Sequence, residues 1–264
     1  SLALVPGLQR APRILVCDGY TVVPPGQKPR HKAGKILPED AVRYDGFIRE
    51  VRAAMASATD GTESGTFAHL QVLELTEHHG FGFAVKRGLQ EVSTTFVLVV
   101  QHDQEFVRGF DLPGVLRAMS SHPDHLKYVG LCSSTTQSYE HMVLSKYGLR
   151  VARTLEFGVP FLPLIFFYDK PHVCSLRHYR DTVLGPDSPV RRGDFIEETL
   201  GRAQREDILR HGLSVHGRYG TYQLDERDEA GEALAIVRHV NGRSFLSPWQ
   251  RAERGWPASL TFTA

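Results

Sequence analysis

The sequence has few cysteines and no two of them at the spacing of a metal or redox site. Its three cysteines, Cys17, Cys132 and Cys174, are far apart in the 264 residues. Because there is no CxxC pair, we expect neither a disulfide framework nor a cysteine-ligated zinc site. A chain of this length buries a core large enough to need neither. Free cysteines favour a cytoplasmic protein.

Long hydrophobic runs and an excess of one charge are also missing. The most apolar run, Val159–Tyr168, is about half the length that a bilayer requires and is interrupted by Pro163, so no transmembrane segment is predicted. Lys and Arg number 31 against 30 Asp and Glu, which argues against a broad nucleic-acid-binding surface. The chain begins with Ser1 and has no basic segment there, so no signal peptide is expected. A processed protein of the secretory lumen, cut from an upstream anchor, is the alternative location.

Motifs of several common enzyme classes are absent as well. Neither GxxxxGK[ST] nor GxSxG occurs, which argues against P-loop proteins and serine hydrolases of the nucleophile-elbow type. The turn that contains Gly80 and Gly82 differs from the dinucleotide fingerprint, because Val85 stands where a third small residue is required.

Strand and helix patterns alternate through the first half of the chain. Apolar runs predict strands, and 3.6-residue periodicity or helix-start residues predict helices: strands at Arg13–Cys17, Leu70–Leu75, Thr95–Val100 and Lys127–Leu131, and helices from Pro38, at Ala84–Val92 and at Pro113–Ser120. This order predicts an α/β fold with a mostly parallel central sheet and helices on both faces. We expect one domain over residues 1–264, with a nucleotide-binding part at 1–132 and an acceptor-binding, catalytic part at 133–264.

Polar residues follow several of the predicted strands. They are Asp18, the His78–Gly80 turn and the segment Gln101–Glu105. Ligands bind beyond the carboxyl ends of strands in open parallel sheets. Asp103 and Glu105 after an apolar strand suit Mg²⁺ or Mn²⁺, and a divalent ion suits a diphosphate. The alternative is that Asp103 only caps the turn after the strand.

Four segments resemble, in order, the motifs of family-2 glycosyltransferases with the GT-A fold. Ile14–Gly19 is similar to their strand that ends in a base-binding Asp, and Gly80–Gly88 resembles their N-x-G-x-x-x-A-x-N-x-G segment. Val97–Asp103 resembles the strand that ends in D-x-D, and Gly193–Leu200 resembles the Glu-Asp motif at a helix start. The resemblance covers about residues 13 to 200 and implies a three-layer GT-A fold.

The resemblance implies roles for the residues of the donor site. Asp18 would accept a hydrogen bond from the nucleobase, and Gly80 and Gly82 would let the backbone approach the nucleotide. Lys86 replaces the second Asn of the family segment and would reach the diphosphate. Gln101 replaces the first Asp of D-x-D.

The metal site implied by the resemblance departs from the family pattern. Asp103 matches the second, metal-binding Asp of D-x-D, but Gln101 leaves the site one carboxylate short. Glu105 and His239 are the candidates that would compensate, and Mn²⁺ or Mg²⁺ is the expected ion. His239 follows a predicted strand, and a surface or packing role is its alternative.

The candidates for the general base lie at the start of a predicted helix. Glu198 matches the second position of the Glu-Asp motif, with Asp194 and Glu197 as competitors. Acids are also ordinary residues in a first helical turn, because they complement the helix dipole. Asp169 and His172, after the apolar run, either line the acceptor site or belong to a core strand.

The resemblance implies inverting, metal-dependent transfer of a sugar from a nucleotide-diphosphate donor, linked to UDP or GDP, to an acceptor hydroxyl. The acceptor is a glycan, a protein or a small molecule. Two alternatives stay open: a nucleotidyltransferase of the same fold, and a sugar-nucleotide-binding protein without catalytic activity.

Overall fold

The computed structural model describes residues 1–58, 67 and 69–240. The strands are β1 (Arg13–Cys17), β2 (Thr21–Val22), β3 (Lys35–Ile36), β4 (Leu70–Glu74), β5 (Phe96–Val99), β6 (Gln104–Phe106), β7 (Tyr128–Leu131), β8 (Phe161–Pro163), β9 (His172–Ser175), β10 (Thr221–Leu224) and β11 (Val237–His239). The α-helices are α1 (Pro38–Ala58), α2 (Phe81–Leu89), α3 (Leu112–Ser121), α4 (Tyr139–Tyr147), α5 (Leu176–His178) and α6 (Arg202–His211). π-Helical turns follow α5 at Tyr179–Val183 and precede α6 at Glu197–Gly201.

The α/β class is confirmed, but the largest sheet is mixed rather than mostly parallel. Its strand order is β5-β9-β7-β10-β8, and only the β7–β10 pair is parallel. The prediction failed at β8 and β9, because β8 runs antiparallel to β10 and β9 runs antiparallel to β5 and β7. Antiparallel neighbours need no crossover helix, and both strands lie after the segment in which strands and helices alternate. The alternation in the first half of the chain therefore did not fix the direction of these strands.

Parallel pairing does hold for β1 and β4, which form a pair with Arg13 opposite Leu70 and Cys17 opposite Glu74. The long helix α1 lies between them in the chain and provides the crossover that a parallel pair requires. The carboxyl ends of β1 and β4 therefore lie side by side. The segments that follow them, at Asp18 and at the His78–Gly80 turn, meet at this end.

Apolar clusters cover both faces of the five-stranded sheet. Val129 and Leu131 of β7 share one buried cluster with residues of α3. Tyr128, which points to the other face, belongs to a second cluster with residues of α4 and α6. This alternation is what a period of two residues in a strand produces. The segment Val159–Tyr168, predicted as a strand, is extended only at β8.

Two short strands, β6 and β11, fix the position of the D-x-D-like segment at one end of the five-stranded sheet. β6 and β11 pair antiparallel, with Glu105 opposite Arg238 and Gln104 opposite His239. Ser133, just after β7, bridges to Val237 at the start of β11. The D-x-D-like segment therefore lies beside the carboxyl end of β7. No helix within residues 1–58 and 69–240 combines the length and the apolar character that a membrane crossing requires.

Candidate functional site

Asp18 binds the turn that follows β4. Its carboxylate accepts hydrogen bonds from the backbone N–H groups of Gly19, His79 and Gly80, at 3.0, 2.8 and 2.8 Å. The imidazole Nδ1 of His78 lies 2.9 Å from the carboxylate Oδ2. A carboxylate has about four lone-pair sites. All of them face a partner in this turn, so a nucleobase would have to displace one of these contacts.

Gly80 joins this turn to the segment that resembles the Glu-Asp motif. Its backbone, at φ 74° and ψ 165°, lies in a region that is almost restricted to glycine. A Cβ atom at Gly80 would lie 2.6 Å from the Cα atom of Gly193. The N–H of Gly193 also donates to the carbonyl of His79 at 2.7 Å. We call Asp18, His78–Gly80 and Gly193 the turn cluster.

Two further residues of the predicted donor site have different surroundings. Gly82, in the first turn of α2, donates its N–H to the carbonyl of Asp194 at 3.3 Å, so it belongs to the same contact as Gly80. Lys86 lies in the last turn of α2, and its ammonium donates to the carbonyl of Leu184 at 2.8 Å. Lys86 therefore does not contact the turn cluster, and its proposed contact with a diphosphate stays a prediction.

Glu198 and Asp194 are both engaged at the surface. The carboxylate of Glu198 forms an ion pair with the ammonium of Lys32 at 2.9 Å, and both side chains are substantially exposed. The carbonyl of Lys32 lies 3.2 Å from Nε2 of His78, which links this pair to the turn cluster. Asp194 accepts the N–H of Arg191 at 2.8 Å, as in a capping turn. Both acids are therefore at the edge of the turn cluster.

Asp103 and His239 come together as the sequence predicted. Nε2 of His239 lies 2.9 Å from Oδ2 of Asp103, and both side chains are about a quarter exposed. We call them the Asp–His pair. Gln101 contributes its carbonyl to the turn, where it accepts the N–H of Gln104 at 3.1 Å. The turn thus has its own backbone bond, and the Asp103 side chain is not needed to close it.

Glu105 has a different partner from the Asp–His pair. Its carboxylate binds Nε of Arg238 at 2.5 Å, across the β6–β11 ladder. Within the described part of the chain, no group of three or more His, Cys, Asp or Glu side chains is arranged to hold a metal ion. Asp103 and His239 therefore supply two candidate ligands, and the role of Glu105 stays a prediction.

Glu197 is half-buried and contacts Asp169, a buried residue just before β9. The N–H of Asp169 donates to the carboxylate of Glu197 at 3.3 Å, and the N–H of Glu197 donates to Oδ2 of Asp169 at 3.4 Å. Asp169 is only 3% exposed. Its other oxygen, Oδ1, has no hydrogen-bond partner among the described residues. The two acids therefore fix each other's backbone at the start of the helical segment that leads into α6.

Lys170, next to Asp169, supplies a positive charge beside this pair. Its ammonium donates to the hydroxyl of Ser133 at 3.1 Å and to that of Thr135. It also lies over the ring of Tyr168, 5.5 Å from the ring centre. We call Asp169, Lys170 and Glu197 the charged cluster. Through Ser133 and β11, this cluster is connected to the Asp–His pair.

Burial sets the protonation of the charged cluster. It raises the pKa of Asp169 to about 8, and the negative charge of Glu197 adds to this increase, while backbone N–H groups oppose it. Burial also lowers the pKa of Lys170, an effect that Glu197 opposes. At neutral pH the Asp169 carboxyl is therefore largely protonated. A neutral acid and a cation therefore lie beside the carboxyl group of Glu197.

His172 is a core residue rather than a lining residue of an acceptor site. It is fully buried, and its ring stacks between Tyr128 and Tyr179. Nε2 lies 3.0 Å from the hydroxyl of Tyr179, and burial lowers the pKa of the imidazole to about 4. The imidazole is therefore neutral at physiological pH and acts as part of the aromatic core.

Lys170 is the residue of this site that sequence reasoning missed. It occurs in the segment Tyr168-Asp-Lys-Pro171, which matches no motif considered. The available signal was its position, since an acid and a base directly follow the most apolar run of the chain.

Comparisons with known proteins found no match: no family model, no curated protein and no solved structure is similar to this chain. The functional argument therefore depends on the residues themselves.

Proposed function

We propose that the protein is a glycosyltransferase of the GT-A type, which moves a sugar from a nucleoside-diphosphate donor to an acceptor hydroxyl. One observation supports this more than any other. Asp18 and Gly80, 62 positions apart, are in direct contact, and Gly80 in turn packs on Gly193. Three segments chosen for their resemblance to the family motifs are therefore adjacent in space. Chance resemblances scattered along a chain would have no reason to meet.

In this proposal the turn cluster forms the wall of the nucleotide site. Because the oxygens of Asp18 are already bonded, its main role is to hold the turn in shape. Glycine at position 80 lets backbone pack on backbone, which leaves no side chain between the two turns. The donor is a UDP- or GDP-linked sugar.

The Asp–His pair fits a divalent ion that is shared with a substrate. One carboxylate oxygen and one imidazole nitrogen suit Mn²⁺, and Mg²⁺ or Mn²⁺ sites commonly complete their coordination with phosphate oxygens and water. Asp103 and His239 would hold such an ion through Oδ2 and Nε2. When bound, the ion would supply positive charge to the diphosphate as it leaves.

Glu197 is the residue proposed to take the proton of the acceptor hydroxyl. It lies in the charged cluster at the ends of the five-stranded sheet, where the Asp–His pair also lies. Glu198 is held by Lys32 at the opposite side of the helix start. Asp169 is largely protonated at neutral pH and therefore cannot accept the proton, which leaves this role to Glu197. Its carboxylate would remove the proton as the acceptor oxygen attacks the anomeric carbon, with inversion.

The test is to identify the product. The purified chain is incubated with UDP- and GDP-sugars, Mn²⁺ and a panel of sugar and peptide acceptors, and released nucleotides are separated by chromatography. We expect release of a nucleoside diphosphate. Glu197→Gln should lower the rate about 100-fold or more, as loss of a general base does. Glu198→Gln, the matched control on the next residue, should change it by less than about threefold, the size of a surface ion pair.

Other products would contradict the proposal. Release of pyrophosphate would indicate a nucleotidyltransferase, and saturable binding of a nucleotide sugar without turnover would indicate a binding protein. If Glu198→Gln were the inactive variant, the transfer assignment would stand but the base would be Glu198.

A further inference from the structure

The ammonium of Lys170 has unusual hydrogen-bond partners for a partly buried lysine. The hydrogen bonds of its ammonium go to two neutral hydroxyls, those of Ser133 and Thr135. Among the described residues, no carboxylate oxygen lies within 4.0 Å of Nζ. Buried charges are normally paired. Here the nearest negative influence is the more distant carboxylate of Glu197.

This arrangement favours an oxyanion as a further partner. The two hydroxyls orient the ammonium, and a hydroxyl that accepts from Lys170 can donate its own hydrogen to another oxygen. Lysine binds phosphoryl oxygens as a compact point charge, and charge-assisted hydrogen bonds of this kind are about twice as strong as neutral ones. Partial exposure of the Lys170 side chain leaves a ligand access to it.

The position of Lys170 indicates which oxyanion it would meet. Its partner Ser133 bridges to Val237, and two residues further along β11 is His239, in contact with Asp103. Glu197 contacts Asp169, the residue that precedes Lys170. Lys170 is therefore connected both to the proposed metal ligands and to the proposed base. In a sugar transfer, the diphosphate and the bond that joins it to the sugar must lie between the metal ion and the base.

We propose that Lys170, with the hydroxyls of Ser133 and Thr135, forms an oxyanion subsite that receives the diphosphate of the donor. This proposal depends on the proposed function and adds a residue to it. The subsite takes the role that sequence resemblance assigned to Lys86, whose ammonium is instead bonded to the carbonyl of Leu184. Lys170 would bind the phosphoryl oxygens of the donor and would offset the charge that grows on them as the sugar departs.

The test uses inorganic pyrophosphate with Mn²⁺ as the probe, followed by calorimetry on the full chain. Lys170→Met should weaken pyrophosphate binding about 10-fold or more, the effect expected from one charge-assisted contact. Lys170→Arg should recover part of the loss, because it keeps the charge. Lys146→Met is the matched control, since Lys146 also lies over a neighbouring tyrosine ring, at 5.4 Å, but is on the outer surface of α4. It should leave the affinity unchanged.

Three results would overturn the subsite. The first is an unchanged affinity in Lys170→Met with a normal melting temperature. The second is an equal loss in Lys146→Met. The third is Lys170-dependent binding of glucuronate instead of pyrophosphate, which would place an acceptor carboxylate there.

Failure of the subsite is distinguishable from failure of the proposed function. If Lys170→Met binds pyrophosphate normally while the wild-type chain still releases a nucleoside diphosphate, only the subsite is wrong. If the wild-type chain binds neither pyrophosphate nor any nucleoside diphosphate, both are wrong.

Discussion

The candidate site has two regions, the turn cluster and the charged cluster, which differ in whether their polar groups have hydrogen-bond partners within the protein. In the turn cluster, the carboxylate of Asp18 accepts three backbone N–H bonds and contacts the imidazole of His78, and glycine backbones pack directly on each other. In the charged cluster, Asp169 keeps an unpartnered buried oxygen, and Lys170 has only neutral partners. The polar groups of the turn cluster are bonded without a ligand, whereas those of the charged cluster are not.

In the proposed function, the turn cluster would act as a scaffold and the charged cluster as the reactive region. Satisfied hydrogen bonds and tight backbone packing give a fixed shape at low energy. Buried groups with missing partners cost stability and are found where a protein binds or reacts. The turn cluster would therefore set the position of the nucleotide, and the charged cluster would meet the reacting part of the donor.

The largest expected change in stability comes from breaking the turn cluster with Gly80→Ala. The new Cβ would enter the space of Gly193, and the backbone region at position 80 disfavours any side chain. We expect a loss of about 4 kcal/mol in the free energy of unfolding, of which about 2 is backbone strain and about 2 is overpacking. Urea unfolding measures it.

Gly212→Ala is the matched control for this variant. Gly212 has nearly the same backbone angles, φ 76° and ψ −178°, but nothing lies within 4 Å of its Cβ position. It should show the strain alone, about 2 kcal/mol. Equal losses in the two variants would mean that the contact between Gly80 and Gly193 contributes nothing.

A pH dependence of the free energy of unfolding is expected from the protonation of Asp169. Its pKa is about 8 in the folded protein and about 3.9 in an unfolded chain, so the native state binds the proton more tightly. Stability from this group is fully present below pH 4 and is lost as the pH rises through 8. The slope is at most about 1.4 kcal/mol per pH unit. Asp169→Asn, which imitates the protonated acid, should remove this slope between pH 4 and 8.

His172 and His178 give the free energy of unfolding the opposite pH dependence over part of this range. Burial lowers the pKa of both imidazoles to about 4, so each loses stability as the pH falls from about 6.5. Because the wild type and the variant share these histidines, the difference between their profiles reports Asp169 alone. Asp187→Asn, a change at an exposed acid away from both histidine rings, is the control. If the profile of Asp169→Asn ran parallel to that of the wild type, Asp169 would be ionised in the native protein.

Much of the fold could be predicted because apolar runs identify strands irrespective of their neighbours. β1 has the predicted bounds, β4 and β7 differ from theirs by one residue at one end, and β5 is one residue shorter at each end. The contact between Asp18 and Gly80 followed from two strands that end at the same edge. Asp103 and His239, which the family resemblance named as candidate metal ligands, lie in contact.

Strand direction and the partners of individual charges could not be predicted in the same way. β9 runs antiparallel to both of its neighbours, and no local pattern distinguishes that from a parallel strand. Lys86 matches a family position, but Leu184 offers its ammonium a carbonyl there. Lys170 matches no motif. Its importance comes from burial and from Ser133 and Thr135, which lie far from it in the chain.

The most direct test of the central claim is calorimetric titration of UDP and GDP, with and without Mn²⁺. We expect one of the nucleotides to bind the wild type more tightly with Mn²⁺, and Asp103→Asn to lose at least about 10-fold in that affinity, the scale of one charge-assisted contact. Glu140→Gln, whose carboxylate pairs with Arg227 and belongs to neither cluster, should bind as the wild type does. Unchanged affinity in Asp103→Asn would contradict the claim that this strand end binds the diphosphate.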